Sequence, residues 1–145
     1  MRTAILGVGN CLMKDDGVGV HAVRALSELP LPAGVAVIDA GTCPDVIFDT
    51  DFADRVIIID AVHGDGPPGT LYRLAEEALL APEDGFRSCH DVSLVHALRE
   101  WRPAVRGQVV VVIGIEPKEV AWGLDLSPEV AACLPRVLEL VKEEL

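Results

Sequence analysis

The chain has 145 residues, with 12 Lys and Arg against 23 Asp and Glu, for a formal net charge of −11 and a pI near 4.6. Half of it is apolar and 24% charged, which suits one globular domain over 1–145 and excludes a disordered chain. So acidic a surface repels phosphate backbones and anionic lipid heads, so neither nucleic acid nor a membrane is an expected partner.

The opening MRTAILGVGN lacks an apolar signal core and reads as the first strand of a cytoplasmic domain. AILGVG at 4–9 is apolar on successive residues, as a strand buried on both faces must be. A helix is predicted over 16–29, behind an acidic start that suits the positive end of its dipole. Further buried strands are predicted at 35–40 (VAVIDA) and 55–61 (RVIIIDA). A shorter strand at 70–74 follows the turn-rich GDGPPG. The next helix is placed at 89–101, with Ser88 and Asp91 spaced as a capping box. VVVVIGI at 109–115 is the last strand. The last helix opens at Ser127-Pro128 and lines up Val130, Leu134, Val137, Leu138 and Val141 on one face. This alternation predicts an α/β fold: a three-layer αβα sandwich around a mainly parallel, twisted sheet of about five strands.

Such sheets place their sites beyond the carboxyl ends of the strands. There the chain carries Asp15 and Asp16, then Asp39, Asp60, His63 and Glu116. GVGN after the first strand lacks the third glycine of a dinucleotide fingerprint, and two carboxylates where a phosphate would sit oppose an anion. A cation fits better. Asp16, Asp60 and His90 form a mixed oxygen and nitrogen set suited to a divalent transition ion with open positions. Each also has a plainer role available: Asp15 or Asp16 as a helix cap, Asp60 as a turn residue, His90 as a hydrogen-bonded helix-start residue. No GxSxG elbow or CxxC pair occurs among the serines and the four cysteines.

GVGNCLMKDDGVGV, VIDAGT, IIIDAVHGDGPPGTLY, SCHDVSL and VVVIGIEP stand in the order and spacing of the hydrogenase maturation endopeptidases. The chain resembles that family over roughly residues 2 to 141. The resemblance implies an endopeptidase that removes the C-terminal extension of a [NiFe]-hydrogenase large-subunit precursor once nickel is in place. It implies Asp16, Asp60 and His90 as the metal-binding residues, with nickel as the substrate's own ion. Without a fixed resident ion, Asp16 or a neighbour such as Asp39 is the best candidate for a general base. Ala40 and Glu116 depart from the family's commoner Gly and Gln. Cys11, Cys43 and Cys89 lie beside these motifs; each reads most simply as a small buried hydrophobe, and the alternative is a soft ligand to nickel in transit. A monomer is expected. Two other readings share much of this pattern: a non-proteolytic metal-binding chaperone for the same precursor, and a different hydrolase on the same scaffold.

Overall fold

The computed structural model describes residues 1–80, 87–88, 91–101 and 107–145. Strand β1 (Thr3–Val8) is buried along its whole length. It is flanked in parallel by β2 (Val35–Gly41) and β3 (Arg55–His63). β3 pairs in parallel with β6 (Val109–Ile115), and β4 (Leu71–Ala75) closes the far edge antiparallel to β6. The sheet order is therefore β2-β1-β3-β6-β4. The two-residue β5 (Arg87–Ser88) pairs antiparallel with the end of β3, Ser88 opposite Val62.

Because side chains alternate along a strand, the same strands feed two cores. Leu6, Val8, Val56, Ile58, Val62 and Val112 face Leu94, Ala97, Leu98 and Trp101 of α3 (Asp91–Trp101). Ile5, Ile57, Ile59, Ile113 and Ile115 face α1 (Val18–Ser27) and α4 (Pro128–Glu143). This is the three-layer sandwich that the unbroken Val/Ile runs require. On α4, Val130, Val137 and Val141 are buried, and Leu134 and Leu138 pack against them half-buried.

α1 lies directly on the sheet because Gly19 has no side chain. A Cβ there would stand 2.1 Å from the Ile59 carbonyl oxygen and 2.6 Å from that of Val8. On the opposite face Gln108 ties α3 down. Its Oε1 accepts the Trp101 indole N–H at 2.6 Å, and its Nε2 donates to the Thr50 and Ala53 carbonyls at 2.8 and 2.9 Å. Trp101 also meets Phe48 edge-to-face at 5.3 Å, holding α3 against the 3-10 segment Pro44–Asp49.

Several boundaries differ from the sequence reading. The first helix begins at Val18, because Lys14–Gly17 forms a separate 3-10 turn. The 3-10 segment Pro44–Asp49 and the short α2 (Glu76–Leu80) have no counterpart in that reading; at six and five residues they carry little periodicity. α3 is described from Asp91, so the predicted start at residue 89 lies outside the described residues. Ser127 precedes α4 as foreseen, with Pro128 in the first turn, but it makes no side-chain cap bond because its hydroxyl is engaged by Asp15. Among the described residues no helix is long and apolar enough to cross a membrane.

Candidate active site

Asp60 stands near the carboxyl end of β3, fully buried, opposite Gly114 of β6. It alternates in phase with Val56, Ile58 and Val62, whose side chains enter the α3 core, so its carboxylate belongs to that face. Asp16 reaches the same end of the sheet from the 3-10 turn that follows β1. It is 7% exposed, and the Asn10 backbone N–H donates to its Oδ2 at 3.1 Å. The turn is drawn tight by Gly9, whose φ is +145° and whose missing Cβ would lie 2.0 Å from the Asp16 carbonyl oxygen. It packs against β3. Two buried carboxylates thus stand at the carboxyl edge of the sheet, Asp60 near the end of β3 and Asp16 on the turn between β1 and α1.

Asp15 and Asp16, neighbours in sequence, have separate work. Asp15 is fully buried and faces the other way. Its Oδ2 accepts the N–H groups of Lys118 and Glu119 at 2.9 and 2.8 Å and the Ser127 hydroxyl at 2.6 Å; its Oδ1 accepts the Ser127 N–H at 2.8 Å. Burial pushes its pKa up, but the hydrogen bonds from Ser127, Glu119 and Lys118 together outweigh that and hold it below the ordinary range. Neither aspartate caps α1, whose N-cap is Gly17 with no side-chain cap bond.

Asp39 is placed differently. It follows Val35 and Val37 in phase and shares their α1 face of the sheet, the face opposite to Asp60. It is exposed, and its Oδ2 lies 3.6 Å from Nη2 of Arg24 on α1. With Gly9, Cys11, Leu12 and Thr42 the pair borders an open cavity of about 350 Å³. The structure therefore brings Asp16 and Asp60 to one end of neighbouring strands and sets Asp39 on the other side of the sheet.

His90 and Cys89 lie outside the described residues. Flanking them, β5 is paired to the end of β3, and α3 starts at Asp91 on the Asp60 face. Among the described residues, no three His, Cys, Asp or Glu side chains are grouped so as to hold a metal. The two buried carboxylates would supply hard oxygen donors, and an imidazole would complete the mixed set that a divalent transition ion accepts. Cys11 is a half-buried free thiol and Cys43 an exposed one.

A second polar network borders this end of the sheet. Glu116, just past β6, accepts the Gly64 N–H and the Tyr72 hydroxyl on Oε1, both at 2.8 Å. Its Oε2 lies 3.3 Å from His63 Nδ1, and the Tyr72 oxygen in turn accepts the Gly66 N–H at 2.9 Å. Burial raises the Glu116 pKa, but the bonds from Gly64, Tyr72 and His63 bring it below the usual value. The same burial, with Glu116 beside it, raises that of Tyr72. Glu116 and His63 are among the strand-end residues that the sequence places at this edge, and Tyr72 is not. Its only signal was a lone tyrosine closing the Gly- and Pro-bearing loop.

A mainly parallel sheet with buried carboxylates gathered beyond its central strands defines an α/β protein with its candidate site at the carboxyl edge. The chain belongs to the hydrogenase maturation protease family, whose model matches residues 20–144. It is 32% identical to the hydrogenase 2 maturation protease of Escherichia coli, over 97% of this chain and 88% of that one. It is 30% identical to the coenzyme F420 hydrogenase subunit delta of Methanothermobacter thermautotrophicus, over 97% of this chain and 92% of that one. The structure of the hydrogenase-maturating endopeptidase HybD of E. coli superposes with a TM-score of 0.87 at 32% identity, covering 100% of this chain and 92% of that one.

Proposed function

We propose that this chain is an endopeptidase that removes the C-terminal extension of a [NiFe]-hydrogenase large-subunit precursor after nickel has been inserted. The observation that carries this reading is the pair of buried carboxylates at the carboxyl edge of the sheet, Asp60 near the end of β3 and Asp16 on the turn that follows the neighbouring β1, within the protease family's fold. Asp16, Asp60 and His90 are the residues we assign to the substrate's nickel. Held there, the metal is a handle that fixes the adjoining peptide relative to the protein, turning recognition into proximity. A divalent ion in that position also supplies Lewis-acid polarisation of a carbonyl. Asp16 is our candidate for the general base. Asp39, across the sheet from Asp60 and paired with Arg24, is given no part in the cut.

The test is a cleavage assay on nickel-loaded and nickel-free precursor, read by mass spectrometry of the released tail, with Asp16→Ala, Asp60→Ala and His90→Ala alongside. Cutting that requires both nickel and the three residues is the expected result; cutting indifferent to nickel would overturn the recognition role.

The name of the M. thermautotrophicus relative, a hydrogenase subunit rather than a protease, favours a second reading. In it the chain holds the precursor without cutting it. Retained binding with no loss of the tail from either precursor would establish that reading instead.

A further inference from the structure

The loop 117–126 and the loop after β1 are built as one piece. Met13 and Gly123 form a parallel bridge; the Gly123 N–H donates to the Leu12 carbonyl and the Lys14 N–H to that of Gly123, both at 2.9 Å. Lys14 and Glu119 form an ion pair at 2.9 Å, and Asp15 holds the Lys118 and Glu119 amides from below. On this fixed frame stand four large apolar side chains turned to solvent: Leu12 at 48% exposure, Val120 at 47%, Trp122 at 77% and Leu124 at 66%. Leu12 lies on the same loop as Asp16, whose Oδ2 accepts the Asn10 N–H at 3.1 Å, so the ridge stands on the loop that carries one residue of the candidate site.

Together the four expose on the order of 400 Å² of apolar surface, the size at which patches on monomers mark interaction sites. The exposure is not a by-product of looseness, because both loops are pinned by backbone bonds and by a buried carboxylate. Two features argue against a second copy as the occupant. A symmetric dimer needs about 800 Å² per partner, and each copy carries a net charge of −11, so self-association works against like-charge repulsion. Continuity with the Asp16 turn points to the molecule that enters the site.

We propose that the ridge formed by Leu12, Val120, Trp122 and Leu124 is the docking surface for the folded body of the large-subunit precursor, which presents an apolar segment to it beside the bond to be cut. This inference rests on the function proposed above. Trp122 is the anchor, a large rigid side chain at the most exposed point, as binding hot spots favour. The division of labour follows: the carboxylates read the metal, and the ridge reads the protein around it.

The experiment compares wild type with Trp122→Ser/Leu124→Ser on full-length nickel-loaded precursor, measuring kcat, KM, thermal midpoint and sedimentation. The expected result is a KM raised at least ten-fold, kcat within about three-fold and an unchanged midpoint, since both side chains are exposed. A KM within two-fold of wild type overturns the docking surface and leaves the proposed function standing. A wild type that sediments as a dimer which the variant loses also overturns it, making the ridge a self-contact. If wild type processes no precursor, the protease reading fails by itself. Precursor binding, by titration, then decides the ridge: ten-fold weaker in the variant upholds it, equal or absent in wild type removes it.

Discussion

The Asp15 carboxylate receives both the backbone N–H and the hydroxyl of Ser127, at 2.8 and 2.6 Å, across a sequence separation of 112 residues. Two further amides, from Lys118 and Glu119, complete its coordination. The first loop of the chain is thereby fastened to the start of the last helix. Removing the carboxylate strands several donors in a dry environment, where each unmade bond costs roughly 1–3 kcal/mol. Asp15→Ala should lose about 3–5 kcal/mol of stability in urea titration. A loss under about 1 kcal/mol would mean water replaces the carboxylate without difficulty.

Asp15 and Glu116 both have folded pKa values below their ordinary ones. The unfolded chain therefore binds protons more readily at these two sites, and their stabilisation is complete above the usual carboxylate range, around pH 4. It is lost as pH falls through that range toward the lowered folded values. Thermal midpoints should drop steeply below about pH 4 in wild type and less steeply in Asp15→Asn. Parallel acid limbs in the two proteins would disprove this contribution.

At Glu116, a glutamine keeps an oxygen for the Gly64 N–H and the Tyr72 hydroxyl, while alanine keeps none. Glu116→Gln should therefore cost less than about 1 kcal/mol at neutral pH, and Glu116→Ala at least about 2. Equal losses in a denaturant titration would show that the charge, rather than the accepting oxygen, holds the 64–72 loop.

Gly19→Ala sets a Cβ within 2.1 Å of one backbone oxygen and 2.6 Å of another. Neither can swing aside as a side-chain tip can, so α1 must lift from the sheet. Stability should fall by about 2–4 kcal/mol, and processing should fall with it, because the Asp16 turn leads directly into α1. A fully stable variant would show that the contact relaxes cheaply.

Asp39→Asn and Asp60→Asn separate the two faces of the sheet. The first should leave processing within about three-fold, and the second should lower it at least 100-fold. Comparable losses would return Asp39 to the chemistry.

What the residues disclose of this architecture follows from periodicity. Strands such as VVVVIGI and RVIIIDA are unmistakable because burial on both faces removes alternation. The parity of those strands was legible too, but it needs the register: only with Gly7 opposite both Asp39 and Ile59 does Asp39 fall on the α1 face and Asp60 on the other. The division of labour between Asp15 and Asp16 was hidden for a different reason. Asp15's partners lie more than 100 residues away, and no local pattern encodes a contact of that range. The 3-10 segment Pro44–Asp49 was invisible because short irregular segments carry no period; Tyr72 falls within the predicted strand at 70–74, but nothing local marks its bond to Glu116, 44 residues further on.

The two margins of the sheet share one feature. Among the described residues β2 pairs only with β1, and β4 only with β6, so each leaves a row of backbone groups able to template another strand. Each margin also carries a side-chain ion pair to a helix: Asp39 with Arg24 of α1 at one, Arg73 with Glu144, just past α4, at the other. Fixed charges at an open rim make it a poor seat for a stray strand. The valine- and isoleucine-rich interior that builds the fold would otherwise invite fibrous stacking, and these paired charges at its borders keep such a chain from zipping onto its own kind.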